Sequence, residues 1–469
     1  MVRGRSVSTG RAFEVRSPFD EAVVAVVHRA GPPEIEAAIA GAVEAFRETR
    51  RLPAWKRSEI LERISQAIAA RRDELATTIA LEAGKPMKAA RAEVSRAVFT
   101  FKVAAEEARR IYGEIVPLDW LPGTEGREGL VRRVPLGPVA GITPFNFPLN
   151  LVAHKVAPAI AAGNPIVLRP ASQTPVSALR LGSIVLEAGW PEAALSVVPS
   201  ATTDAAPLVE DDRLRLLTFT GSPAVGWELK RRAGRKRVLL ELGGNAAVIV
   251  HGDADLDYAA ERIVWGGFTY AGQSCISVQR VYVHAPVYER FLEIFLPRVR
   301  ALVVGDPRDE ATDVGPLIDT AAAERVEAWV QEAIAAGARV LAGGSRRGRL
   351  WEPTVLDRVD PSLRVSCAEV FAPLVVLFPY EDPREAIAAA DRSDYGLQAG
   401  IFTHDDRLVS AAVDGLEVGG LIVNDVPTFR IDHMPYGGVK LSGFGREGLR
   451  YAIEEMTELK LVVYNRGRA

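Results

Sequence analysis

The sequence predicts an α/β fold in which a mostly parallel sheet, covered by helices, is followed by a second unit of the same kind. Three observations carry this. From residue 138 onward, short apolar runs alternate with helical patterns, the form taken by parallel strands joined through crossover helices. After Gly243 a second strand-and-helix series begins, which places a domain change there. The 469 residues, 48% of them hydrophobic, suffice for a large core and for two or three domains.

In chain order, residues 33–46 set Ile35, Ala38, Ile39, Ala42, Val43 and Phe46 on one helical face. A second helix from residue 54 repeats the pattern with Ile60, Leu61, Ile64 and Ile68. Gly84-Lys85-Pro86 interrupts it, and a third helix is expected over 87–112. Residues 113–133 are Pro- and Gly-rich with little periodicity and read as an excursion from the main body. The alternation then runs strand 138–142, helix 149–162, strand 166–168, helix 176–188, strand 214–219, helix 224–232 and strand 238–242. The second series has strands at 246–250 and 278–283 and helices at 287–303 and 319–336, with a short β-prone run at 459–464. Parallel sheets of this type bind ligands beyond the carboxyl ends of their strands.

Composition narrows the function classes. A net charge of −3 calls for neither nucleic acid nor an anionic membrane as partner. No apolar run approaches the roughly 20 residues that span a bilayer, and the first residues lack the apolar core of a secretory signal. A soluble cytoplasmic protein is expected. In a reducing compartment Cys275 and Cys367 are free thiols, and the six histidines stand singly without metal-ligand spacing, so no metal site is expected.

The stretch 238–280 holds the chemistry. Glu241 leaves an apolar strand and Cys275 arrives behind a helical pattern. A thiolate attacks electrophilic carbon, and a nearby carboxylate can take a proton from the thiol or from a later attacking water. Taken singly, each has a plainer reading: a small buried hydrophobe for Cys275, a solvated strand-end charge for Glu241. Cys367 keeps the plain reading.

Leu240-Glu241-Leu242-Gly243-Gly244-Asn245 and Phe268-x-x-x-Gly272-Gln273-x-Cys275, in this order and separation, resemble the two active-site signatures of the aldehyde dehydrogenase superfamily. Further similar segments occur from about residue 135 to 448. The resemblance implies a Rossmann-type dinucleotide-binding domain (1–112 and 134–243), an α/β catalytic domain (244–450) and a small β oligomerisation element (113–133 with 451–469). A homodimer or homotetramer follows from that element, since an exposed edge strand invites pairing with another subunit.

It also implies roles. Cys275 adds to an aldehyde, Asn146 with the Cys275 N–H holds the oxyanion, hydride passes to NAD(P)+, and Glu241 activates water against the thioester. On the cofactor side it places Thr143, Pro144, Phe145, Leu242, Gly221 and Ser222, the last two at a strand-to-helix junction whose free N–H groups suit a phosphate. Gly-Ser before Pro223 is otherwise an ordinary turn. No Gly-x-Gly-x-x-Gly follows any strand.

The family pattern has Lys at Arg169 and, in NAD-preferring members, Glu at Ser172; a neutral Ser beside a guanidinium leaves room for a 2′-phosphate, so NADP is expected to be accepted. Glu369 and Phe371 match a ribose-binding Glu and its aromatic neighbour, although Ala372 replaces a Gly, and Tyr270 replaces a common Asn. Near the end, Arg430 and His433 are candidate holders of an anionic substrate tail, Arg430 being equally suited to a salt bridge at a subunit contact. Segments of this type resemble those of lactaldehyde, semialdehyde and non-phosphorylating glyceraldehyde-3-phosphate dehydrogenases, which points to a small polar or anionic aldehyde. The rivals are a CoA-acylating aldehyde dehydrogenase, which generally lacks the Glu at position 241, and a thiol esterase, for which no His-based dyad is evident.

Overall fold

Strands that are buried on both faces need apolar side chains at every position, and the runs after residue 138 supply them. Val139, Ala140, Ile166, Val167, Leu168, Leu216 and Leu217 are wholly inaccessible to solvent. They build a six-stranded sheet in the order Gly443–Phe444, Arg237–Glu241, Leu216–Thr220, Val139–Ile142, Ile166–Arg169, Leu195–Val197. All its pairings are parallel except that of the short first strand. The computed structural model describes residues 1–467; residues 468 and 469, the end of the expected oligomerisation element, lie outside the described residues.

Leu242 to Asn245 carry the chain into a seven-stranded sheet ordered Arg339–Ala342, Thr354–Asp357, Leu374–Tyr380, Val278–His284, Ala246–Val250, Gln398–Phe402, Gly420–Val423. It too is parallel apart from its first strand. A separate three-stranded antiparallel sheet joins Thr457–Asn465, Arg127–Pro135 and Glu114–Pro117. Leu459, Leu461, Val463 and Ile115 stand exposed on it.

The helices expected around residues 33–46 and 54–68 are Pro32–Thr49 and Ala54–Ala70. The third, expected to reach 112, ends at Glu107. The helix Arg72–Ala83, closed by Gly84 at φ 65°, has no counterpart in the sequence reading. Its buried residues, Leu75, Ala76, Thr78, Ile79, Ala80, Glu82 and Ala83, share one broad face, but Thr78 and Glu82 are polar and interrupt the apolar stripe there. The excursion at 113–133 is largely a β ribbon: Arg127–Pro135 pairs residue by residue with Thr457–Asn465, a register that depends on a strand more than 300 residues away. The helix Asn150–Ala162 is buried all round, including His154 and Lys155, whose charges must be met inside the protein.

Candidate active site

Ile142, Arg169, Thr220 and Glu241 end neighbouring parallel strands, so the residues after them gather along one carboxyl edge. A cleft of roughly 220 Å³ opens there, lined by Pro144, Phe145, Asn146, Gly221, Ser222, Leu242, Cys275, Glu369, Phe371 and Arg430 among others. Ten of the residues singled out from the sequence therefore share one space. A larger cavity of roughly 540 Å³ lies beside Cys367 and Tyr282 and contains none of them. Cys367 itself is exposed and donates to the Ser362 carbonyl at 3.2 Å.

Cys275 reaches the cleft through a sharp change of direction. The helix Leu256–Phe268 ends, and Tyr270, Ala271 and Gly272 turn with φ of 50°, 52° and 65°. Left-handed conformation at two consecutive non-glycine residues is costly and must be held by packing. The Tyr270 hydroxyl donates to the Ala83 carbonyl at 3.1 Å, and its ring lies under the Lys85 ammonium at 4.2 Å. Gln273 ties the loop down: its Nε2 donates to the Tyr270 and Pro316 carbonyls, while its Oε1 accepts from Ile318 N at 2.9 Å. Lys85 also caps the Phe147 ring at 3.6 Å and pairs with buried Glu93, which accepts from Leu149 N and Asn150 N. The Asn146 turn and the Cys275 turn are thereby fastened to the same ion pair.

The two glycines of the Glu-Leu-Gly-Gly signature have packing reasons. A Cβ at Gly243 would stand 2.5 Å from the Glu369 carboxylate, and one at Gly244 would stand 2.1 Å from the Cys275 carbonyl oxygen. Backbone approach at this seam brings the segments of Cys275 and Glu369 against the end of the Glu241 strand. Asn146 is buried and its Nδ2 donates to the Gln273 carbonyl at 3.0 Å, next to the nucleophile loop. An amide nitrogen carries two N–H groups, so one is left over. The Cys275 N–H donates to no protein group among the described residues. Burial pushes the Cys275 thiol pKa up to about 11, against the lowering effect of the Tyr436 hydroxyl in hydrogen-bond contact at 3.1 Å.

Glu241 does not line the cleft. It is buried, its Oε1 3.0 Å from where a Gly437 Cβ would be and its Oε2 without a partner among the described residues. Burial first, then repulsion from Glu447, raises its pKa well above the ordinary carboxylate value. Glu447 also pays for burial, yet Lys155, His154 and Arg430 outweigh that and hold it below the usual range. Lys155 Nζ donates to Thr218, Thr220 and Glu447 at 3.0, 2.8 and 3.4 Å. One carboxylate of the pair has taken the cations and stays ionised, leaving the other with a base's affinity for protons.

On the cofactor side Gly221 lines the cleft and also has an internal reason to be glycine. The position a Cβ would take is filled by the Phe219 ring at 2.5 Å, and the Gly221 N–H already donates to the Glu241 carbonyl. Glycine is therefore required there by packing within the protein, and the free donors at the start of the helix Pro223–Arg232 come from the residues after Pro223. Thr143, next to the cleft-lining Pro144, is buried with its hydroxyl unpartnered among the described residues. Arg169 Nη2 donates to the Ser200 carbonyl and Thr202 Oγ1 at 3.1 and 3.2 Å, leaving Nε free. Ser172 is half-buried in the loop that follows. Glu369 Oε1 accepts from Gly244 N at 2.9 Å, and burial raises its pKa to about 7. Phe371, at φ 56°, meets Phe145 edge-on at 5.9 Å.

The substrate candidates part company. Arg430 is 6% exposed, donates to Glu447 at 2.9 Å and lies over the Tyr436 ring at 3.6 Å; its salt bridge is internal to the chain, which replaces the subunit-contact alternative. Its Nε has no partner among the described residues. His433 is exposed and packs edge-on against Phe99, outside the cleft, because its neighbour Asp432 turns inward to Arg96 and His154. Arg96, which no pattern in the chain singles out, lines this cleft and a neighbouring cavity of roughly 430 Å³ that shares Phe147, Ser274, Ile276 and Arg430 with it. Tyr436 was equally silent: it sits in an irregular Gly-rich segment, and only folding puts its hydroxyl on the sulfur.

The pattern of the aldehyde dehydrogenase family matches residues 5–462. The chain is 45% identical over 465 residues to a 3-sulfolactaldehyde dehydrogenase of Priestia aryabhattai, covering 99% of this chain and 97% of that one. The crystal structure of aldehyde dehydrogenase 21 from Physcomitrella patens in complex with the reaction product succinate superposes with a TM-score of 0.97 at 45% identity, over 100% of this chain and 98% of that one. That of the glyceraldehyde-3-phosphate dehydrogenase GapN from Methanocaldococcus jannaschii complexed with NADP gives 0.93 at 39% identity, over 97% and 99%.

Proposed function

Because the chain belongs to the aldehyde dehydrogenase family, we propose that it oxidises a small aldehyde with an anionic tail to the carboxylic acid, using NAD(P)+. The observation that carries this is the placing of Cys275, Asn146 and two arginines on one cleft. Cys275 Sγ adds to the aldehyde carbon, and the spare Asn146 N–H with the Cys275 N–H holds the alkoxide. The nicotinamide, when bound, accepts the hydride. The acyl group is left on sulfur as a thioester; Glu241 swings toward the cleft, takes a proton from water, and the resulting attack frees the acid and the thiol. The unpartnered Glu241 Oε2 and its raised pKa suit that base.

The cleft suits a dinucleotide through the donors after Pro223, the orphaned Thr143 hydroxyl, the Arg169 Nε and the Glu369 carboxylate. Pro144, Phe145, Ser222, Leu242 and Phe371 line its walls. Ser172 beside Arg169 favours acceptance of NADP. We assign the dinucleotide domain to residues 1–112 and 134–243, the catalytic domain to 244–450, and subunit pairing into a homodimer or homotetramer to 113–133 with 451–469. A cytoplasmic location fits two unpaired cysteines.

The tail is assigned to Arg430 and Arg96. Relatives named for sulfolactaldehyde and glyceraldehyde-3-phosphate, and a neighbour holding succinate, share an anion at the end away from the reacting carbon. Cys275→Ala is expected to abolish oxidation of every aldehyde. Arg430→Ala, which also unpairs Glu447, should slow every aldehyde, whereas Arg96→Ala should raise KM roughly 10- to 100-fold for a carboxylated aldehyde, the worth of a charged hydrogen bond, and leave a neutral one of equal length little changed. Equal effects on both would remove the anionic-tail reading, and full activity of Cys275→Ala would remove the mechanism.

A further inference from the structure

Among the described residues the Cys275 sulfur has one hydrogen-bonding side-chain partner, the Tyr436 hydroxyl at 3.1 Å, and that hydroxyl has no other. The ring would be held equally well without its oxygen. It is 2% exposed, packs with Ile276 and Leu397, and lies under the Arg430 guanidinium at 3.6 Å. Its backbone exchanges two hydrogen bonds with Glu447, at 3.1 and 2.6 Å, and Glu447 in turn holds Arg430. Phenylalanine would keep every one of these contacts. A buried phenol hydroxyl costs free energy unless it is paired, so its presence is accounted for by the sulfur alone.

We propose that Tyr436 is a further catalytic residue: its O–H donates to Cys275 Sγ, aims the sulfur into the cleft and stabilises the thiolate before it attacks. This rests on Cys275 being the nucleophile. When the thiol ionises, its proton leaves through the cleft to solvent; the phenol keeps its own proton, and nothing is oxidised or reduced. The charged groups facing the pair are Glu241, Glu369 and Arg430, with Glu447, Lys155 and Arg446 behind them. The two nearer carboxylates oppose a thiolate and Arg430 is shared with Glu447, so a neutral donor in contact has a large share of the offset to supply. Burial holds the phenol well above its ordinary pKa, so it remains a donor throughout the working range. Arg430 over the ring face withdraws charge from it and strengthens the O–H as a donor.

The test is the pH dependence of iodoacetamide alkylation in a Cys367→Ser background, where Cys275 is the one remaining thiol. Tyr436→Phe should raise the thiol pKa by about one unit, so that alkylation at a fixed pH below it slows roughly tenfold. Tyr436→3-fluorotyrosine, with nearly the same shape and a stronger donor, should shift the profile the other way. The proposal is overturned if the phenylalanine profile overlays the parent, or, where that variant does not fold, if the fluorotyrosine profile does not move toward lower pH. Failure of the nucleophile reading looks different: Cys275→Ala would then still reduce the nicotinamide.

Discussion

Gly244→Ala puts one methyl group where the nucleophile loop touches the Glu241 strand. The added carbon would lie 2.1 Å from the Cys275 carbonyl oxygen, whereas such contacts essentially never fall below 3.0 Å. The two backbones must therefore separate by about 1 Å, and a misplacement of that size costs roughly 100-fold in rate where reacting groups are prealigned. The strand side is locked between two sheets, and Gly243 against Glu369 prevents a slide in the other direction. The displacement thus falls on Cys275, whose N–H and sulfur both move relative to Asn146. Overpacking of this kind also costs about 1–3 kcal/mol of stability. The assay is kcat at saturating aldehyde and NADP, beside a thermal melt and a thiol titration to show folded protein with Cys275 present. A folded Gly244→Ala enzyme with kcat within twofold of the parent would refute the view that close backbone contact at this seam sets the nucleophile.

Glu241→Gln should release a first burst of reduced nicotinamide equal to the active sites and then stall, with the acyl-enzyme visible by mass; undiminished turnover would remove Glu241 as the base. Because burial and Glu447 raise the Glu241 pKa, and the carboxylate is the active form, hydrolysis-limited turnover in the parent should rise with pH above the ordinary carboxylate range and level off once Glu241 is ionised. A profile flat through that rise would contradict the assignment. Asn146→Ala should lower kcat/KM roughly 10²- to 10³-fold by removing one oxyanion donor, with NADP affinity measured by fluorescence unchanged. Ser172→Glu should shift the kcat/KM ratio toward NAD, since a carboxylate repels a 2′-phosphate and accepts from a 2′-hydroxyl; an enzyme that already strongly prefers NAD would reject the reading of Ser172.

Much of the fold is legible along the chain because it is locally encoded. Strands such as Val139–Ile142 and Ala246–Val250 are apolar at every position, and the helix Pro32–Thr49 carries its burial as a single stripe. The helix Arg72–Ala83 is hidden because Thr78 and Glu82 break the apolar pattern of its buried face, and the strand Leu195–Val197 because three residues are too few to show a period. The Cys275 loop shows a different limit. Two consecutive left-handed non-glycine residues, Tyr270 and Ala271, have no local preference for that shape and take it only because Lys85, Ala83 and Pro316 come from elsewhere to hold it.

The chemistry of the centre was set by residue type: a carboxylate and an amide that end or follow strands on the carboxyl edge of one parallel sheet, and a thiol between a helix and the strand after it. What depended on folding was which charges they would meet. Arg430 and His433 stand three residues apart in the same loop, yet one is buried against Glu447 and the other faces solvent beside Phe99. Glu241 and Glu447 read alike as acids until Lys155 and Arg430 side with the second and leave the first a base. Electrostatic energy depends on distance through space and on the exclusion of water, and neither is written in the order of residues along a chain.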